Sequence, residues 1–154
     1  MGVVVNYYDV EQYRPATVQC VLESAVHYQV PADVLLAIGQ VEAGREGSAI
    51  ANTNGTYDLG RAGINTVHLE DLRRYGVDPQ VAMHYLRYDG CYNYAMAAYL
   101  LERRLAGCRQ DYWTCVANYH SATPRFNAVY QERVRPLAAQ WAVYLRQHYR
   151  VKGY

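Results

Sequence analysis

Apolar positions recur along this chain at helical spacing and predict a mainly helical protein. Val18, Val21, Leu22, Ala25 and Val26 form one such stripe, predicting a helix over about residues 16–28. Val30-Pro31 interrupts it, and Pro31 suits the first position of a second helix with Asp33 in its first turn. There Val34, Leu35, Ile38 and Val41 make a buried stripe that runs to about Ala43, with Gly44 as the residue that stops it. Further on, Thr66 is placed to cap a helix ending at Tyr75-Gly76, and Asp78-Pro79 to open a short one through about Tyr85. A turn at Asp89-Gly90 leads into a long helix over about 92–106. Ala95, Met96, Ala98, Tyr99, Leu101 and Leu105 face inward on it, and its small residues predict a central helix with close neighbours. Asp111 caps a helix to about His120, and Thr123-Pro124 begins the last helical region. Pro136 is expected to break or kink that region near Arg135, beyond which Leu137, Trp141, Val143, Tyr144 and Leu145 dock a final helix.

Residues 44–65 depart from this pattern. Gly, Asn, Thr and Ser dominate, and Asn54-Gly55 is a tight-turn signal that can close a small hairpin. Ile50, Tyr57, Leu59 and Ile64 are interleaved with the polar residues, so the segment reads as an ordered wall rather than a linker. The organisation expected is a loose or extended arm over 1–14, one domain over 15–149 and a loose tail over 150–154, with no repeat or linker dividing the chain. The fold class is mainly α with a small hairpin or irregular lobe.

Composition narrows the functions available. The chain has 154 residues, enough for one domain with its own core. A net charge of +1 leaves no electrostatic footprint for nucleic acid. No apolar run has the length of a membrane span. Seventeen tyrosines against one phenylalanine suit surfaces that meet sugar rings, although packing with a wet hydroxyl accounts for most of them. Four cysteines allow three pairings and fit two disulfides in an oxidising compartment. Cys108 and Cys115 flank a short hydrophilic stretch and can close a small loop, which leaves Cys20 to tie the first helix to Cys91. No cysteine or histidine cluster has zinc spacing, so no metal and no cofactor are expected. The start, Met-Gly-Val-Val-Val-Asn, lacks the basic and long apolar regions of a secretory leader; the expectation is a periplasmic or secreted protein whose leader has been removed or replaced.

One carboxylate stands in an unusual place. Glu42 lies a turn past Ile38, at the edge of the second helix's apolar stripe and in its last turn. Both partial burial and the negative end of the helix dipole disfavour its charged form and raise its pKa. A carboxylic acid kept protonated near neutral pH is what glycosidic-bond cleavage needs. On the helix alone, a solvated residue at a fraying end is the simpler reading of Glu42.

What surrounds Glu42 in the chain resembles a known family. Ala37-Ile-Gly-Gln-Val-Glu-Ala43, the run Ala51-Asn-Thr-Asn-Gly-Thr-Tyr-Asp-Leu-Gly-Arg-Ala-Gly-Ile-Asn65, the run Asp89-Gly-Cys-Tyr-Asn93 and the segment Ala117-Asn-Tyr-His-Ser-Ala-Thr-Pro124 follow one another in the order and spacing of the lysozyme-like soluble lytic transglycosylases. The resemblance covers about residues 18–135 and is nearest to the subgroup that accompanies type IV secretion, conjugation and pilus systems. It implies a lysozyme-like α+β domain, a periplasmic or secreted monomer, and cleavage of the β-1,4 bond between N-acetylmuramic acid and N-acetylglucosamine with a 1,6-anhydro product. Glu42 falls on the family's catalytic acid; Tyr119, Asn65, Gly63 and Ser121 fall on positions that line its sugar cleft. Peptidoglycan glycan strands are the implied partner, with secretion or pilus machinery proteins as possible others. The pattern breaks in three places: Ala43 replaces a common Ser, Arg61-Ala62-Gly63 replaces an apolar pair followed by Gln, and Ala122 replaces a frequent Gly.

Residue by residue, simpler roles stand beside these. Without the resemblance Tyr119 reads first as a core tyrosine, and His120 reads first as a structural histidine, whereas Asn65 reads equally as a helix cap near Thr66 and Ser121 equally as a local cap. Asp58 is the nearest candidate second acid, or a turn residue bonded to local backbone amides. His27, His68, His84 and His148 show no mutual spacing that suggests a site. Two rival functions share the scaffold: a non-catalytic peptidoglycan-binding or assembly module, and a hydrolytic muramidase.

Overall fold

The computed structural model of the protein describes residues 14–149. The expected tail lies outside that range, as does the expected arm apart from Arg14. That residue exchanges backbone hydrogen bonds with Tyr88 and Gly90 in a parallel bridge to Asp89.

Helix α1 (Val18–Tyr28) begins at Thr17, whose hydroxyl accepts the Cys20 N–H, and buries Cys20, Val21, Leu22 and Ala25. Val26, expected inward, is exposed, because the helix's buried arc closes at Ala25. Helix α2 (Ala32–Glu42) follows, with Pro31 as its N-cap rather than its first residue. It carries no stripe. Ala32 and every residue from Val34 to Gly39 are buried, so this helix, as much as the long one expected at the centre, runs through the core. Val41 is only half-buried.

Three short strands make the lobe. Strands β1 (Ala49–Ala51), β2 (Tyr57–Leu59) and β3 (Ile64–Asn65) form an antiparallel sheet in that order, with Ile50 opposite Asp58 and Leu59 opposite Ile64. Leu59 and Ile64 are buried against the helices, whereas Ile50 and Tyr57 face out. A 3-10 turn (Thr66–His68) leads to α3 (Leu69–Arg74), then α4 (Pro79–Tyr88) and α5 (Gly90–Ala106). Asp89 ends α4 and caps α5 with its side chain, so no free turn separates them. Helix α6 (Tyr112–Ala117) opens at Asp111 as expected, but it ends three residues early, in a run of turns through His120.

Helix α7 (Pro124–His148) packs along α2 in the most extensive helix contact of the fold, helped by a Trp141 N–H donated to Gln40. It runs unbroken through Pro136, contrary to the sequence expectation. Pro136 and Glu132 are both solvent-exposed, so water can serve the carbonyl that proline leaves without a donor. Val134 and Ala138 hold the helix to the core on the other side.

Both expected disulfides are present: Cys20–Cys91 ties α1 to the start of α5, and Cys108–Cys115 closes the α5–α6 connection. No helix among the described residues is long and apolar enough to cross a membrane.

Candidate active site

The site begins where α2 ends. Glu42 is the last helical residue, and the chain turns away through Ala43, which adopts a left-handed conformation at φ 54°. Gly44 was the expected αL residue; its smallness serves another purpose. A Cβ there would stand 1.9 Å from the Gly60 carbonyl oxygen, so only glycine lets the wall close onto the helix end.

The wall is pinned by side-chain amides. Asn93, fully buried on α5, accepts the Ala62 N–H at 2.8 Å and donates to the carbonyls of Leu59 and Leu86, both at 2.8 Å. The Ala62 carbonyl in turn accepts the Tyr119 hydroxyl at 3.2 Å. Ala62 is thus clamped on both sides, and the clamp sets Gly63 directly against Glu42. A Cβ on Gly63 would lie 3.2 Å from Glu42 Oε2, at a backbone φ of 61°. Glycine at this position, where the resembling family carries Gln, is what this backbone and this carboxyl permit.

Glu42 takes a hydrogen bond at 3.0 Å from the Tyr130 hydroxyl, reaching across from the buried face of α7. Its pKa is pushed up to about 7, chiefly by burial. The nearby Asp58 charge adds to the rise, and the Tyr130 hydrogen bond opposes it. A substantial fraction of Glu42 therefore carries its proton near pH 7, unlike an ordinary carboxylate. Burial also raises the Tyr130 and Tyr119 phenols, with the Glu42 charge second, so both stay hydrogen-bond donors. The His120 ring stacks on Tyr130 at 4.9 Å between centroids and nearly parallel.

Outside Glu42 lies a cleft of about 520 Å³. Glu42, Asp58, Gly63, Asn65, Tyr119 and His120 line it, with Asn52 and Thr56 on the strand side and Leu100 and Arg104 of α5 opposite. Asp58 is no turn residue. It sits in β2, and one oxygen accepts two side-chain amides, from Asn65 at 3.0 Å and Asn52 at 3.2 Å. Asn65 has the capping role and also braces the lobe. Its Oδ1 caps the 3-10 turn by accepting the Val67 N–H, and its Nδ2 holds Asp58 and Thr56. Thr66, the expected cap, instead accepts the Tyr57 N–H.

Of the residues singled out in the sequence, the cleft brings together Glu42, Tyr119, Asn65, Gly63, Asp58 and His120. Ser121 is not among its lining. Its hydroxyl accepts the Thr123 N–H ahead of α7, which is the local capping role. Tyr119 orients the wall through Ala62 rather than bonding Glu42, the role that falls to Tyr130. Sequence reasoning passed over Tyr130 and Asn93. Their signal was faint but present: each is a polar-tipped residue on a helix face whose neighbours, Val134 and Ala97, are fully buried.

No curated protein matches this chain. The family model of the transglycosylase SLT domain matches residues 19–137. The chain belongs to that family, whose members are lytic transglycosylases acting on peptidoglycan.

Proposed function

We propose that the protein is a peptidoglycan lytic transglycosylase with Glu42 as its single acid and base. The observation that carries this reading is the carboxyl's state: half-buried in the cleft lining, hydrogen-bonded by Tyr130, and with its pKa pushed up to about 7 by desolvation. Glu42 donates its proton to the glycosidic oxygen as the bond from C1 of N-acetylmuramic acid breaks. The muramoyl 6-hydroxyl then attacks C1 and gives its proton to the Glu42 carboxylate. One C–O bond breaks, one forms, no water is consumed, and the acid is regenerated with a 1,6-anhydro end on the product.

The clamped wall supports this role by excluding water from one side of the carboxyl. Gly63 brings backbone to that side, where a side chain would crowd the acid. Asn65, Tyr119 and the exposed face of His120 are the proposed sugar contacts. The disulfides and the substrate suit action in the periplasm or outside the cell. Local wall opening for a type IV secretion, conjugation or pilus assembly is the proposed setting, and it rests on the resemblance of the motifs alone.

One observation favours a second reading. Asp58 lies on the same cleft, held by two amide donors, and could activate water as a hydrolase's base does. Mass spectrometry of digested sacculi separates the two, because the anhydro product is lighter by one water than a reducing end. Dominant reducing ends would overturn the transglycosylase assignment. Zymography tests catalysis itself. Glu42→Gln should lose about 10³-fold or more of clearing activity, in line with the usual worth of a positioned proton donor. A variant that clears like wild type would remove Glu42 from the chemistry, and a wild type that never clears would leave a binding module on this scaffold.

A further inference from the structure

The cleft is electrostatically divided, and the acid chemistry uses only one part of it. The charge bearing on Glu42 is that of Asp58. The charges bearing on His68, which also lines the cleft, are those of Asp71 and Arg104. Arg104 stands on the last turns of α5, is solvent-exposed, lines the cleft and makes no ion pair among the described residues. Its neighbour Arg103, by contrast, is engaged with Tyr99, donating to its hydroxyl at 3.1 Å. A guanidinium without an acidic partner, facing a substrate cleft, presents a planar fork that matches a carboxylate.

We propose that Arg104, with His68 beside it, is a specificity-determining carboxylate site that reads an acidic group on the substrate away from the scissile bond. The proposal rests on the peptidoglycan reading of the cleft. A plain β-1,4 N-acetylglucosamine chain is uncharged, whereas peptidoglycan carries carboxylates in two places. One is the lactyl group of muramic acid when no peptide is attached, and the other is the peptide stem. Both offer the same chemistry to Arg104. His68 adds one N–H as a neutral ring, since burial and then the Arg104 charge keep its pKa below the usual value, with Asp71 acting against them. Binding energy gathered here positions the strand without touching the reacting atoms, so it belongs in KM more than in kcat.

The test titrates the full chain, wild type and Arg104→Gln, with three soluble probes. They are disaccharide–peptide fragments, the same fragments with the peptide removed and the lactyl carboxylate free, and neutral N-acetylglucosamine oligomers. Arg104→Gln should weaken binding of an acidic probe about five- to tenfold and leave the neutral oligomer unchanged; Arg104→Lys should recover part of the loss. The weakened probe identifies the source: stem if the peptide-bearing fragment alone is affected, lactyl group if the stripped fragment alone is. Added salt should erode the wild-type preference for acidic probes and leave the neutral probe's binding unchanged. Equal binding by wild type and Arg104→Gln, or no binding of any probe by wild type, overturns the site. Because binding is read directly, a protein that fails to cleave yet shows the Arg104 effect removes the catalytic reading and keeps this one.

Discussion

Helix α2 and the wall of residues 44–65 meet at Glu42, and they are built in opposite ways. The helix is held by apolar burial on every side. Leu35 and Ile38 are fully buried, and each contributes about 1.5–3 kcal/mol by leaving water. The wall has few such residues. Apart from Leu59, Ala62 and Ile64, its order comes from directed hydrogen bonds: Asn93 to three backbone groups, Tyr119 to Ala62, and Asn52 and Asn65 to Asp58. Apolar packing tolerates small shifts, whereas these bonds set positions to within a fraction of an ångström. A carboxyl that must sit against backbone without being solvated needs the second kind of support on its open side.

The sharpest way to break the comparison is to remove one support from each region, the α5 amide that pins the wall and a core residue of the helix. Asn93→Leu removes the side-chain partner of the buried Ala62 N–H and of the Leu59 and Leu86 carbonyls. At about 1–3 kcal/mol for each group left unsatisfied, stability should fall by at least about 2 kcal/mol. Leu35→Ala should cost a similar amount, about 2–5 kcal/mol, by leaving a cavity. Urea unfolding reads both costs. Activity measured well below each midpoint separates them: Asn93→Leu should lose it because the wall no longer faces Glu42, and Leu35→Ala should keep most of it. Equal residual activity would mean that the amide clamp is scaffolding only.

Crosslinking gives the next largest effect. Replacing Cys20 and Cys91 by alanine should cost about 2–4 kcal/mol, since their bond closes a loop of sequence separation 71. Loss of Cys108–Cys115, separation 7, should cost less. Peptide mapping under non-reducing conditions checks the pairings directly.

Glu42 itself ties stability to pH in the unfavourable direction. Its pKa rises from 4.5 unfolded to about 7 folded, so the folded state holds a proton that the unfolded state releases. Stability is therefore lost as pH climbs from about 4.5 through about 7, and Glu42→Gln should stabilise the protein by roughly 1–3 kcal/mol at pH 8 but little at pH 4. Melting curves at the two pH values decide this; a variant no more stable at pH 8 would place the carboxyl in water. Tyr130→Phe sharpens the point. Its hydroxyl favours the ionised form, so its removal should move the alkaline limb of the activity profile upward. A limb that moves down, or stays, would mean Tyr130 does not govern the acid.

The same contrast explains what could be read in advance. Helices α1, α4 and α5 were legible because burial imprints a period on sequence, α2 as an apolar run bounded by Pro31 and Gly44, and the starts of α4 and α6 through Asp78 and Asp111, short polar caps beside apolar residues. The hairpin was legible through Asn54-Gly55. Asn93, Tyr130 and the partners of Asp58 were not, because a side chain that bonds a residue tens of positions away leaves no local period. Tyr130 and Glu42 are 88 positions apart. The unbroken α7 was misread for a related reason: proline's effect depends on which face it occupies, and that is a tertiary property.

The smallest effect expected lies at the hinge between the two regions. Ala43 turns left-handed at φ 54° to release the chain from the helix into the wall. An L-residue there bears about 1–2 kcal/mol of strain that glycine avoids. Glycine gives part of that back by loosening the unfolded chain, so Ala43→Gly should stabilise by no more than about 1 kcal/mol. Its exposed side chain touches neither the clamp nor the Tyr130 bond, so the pH profile should not move. A profile that does shift would mean the strained turn helps to aim Glu42, and the rigid wall would then share control of the carboxyl with the helix end that bears it.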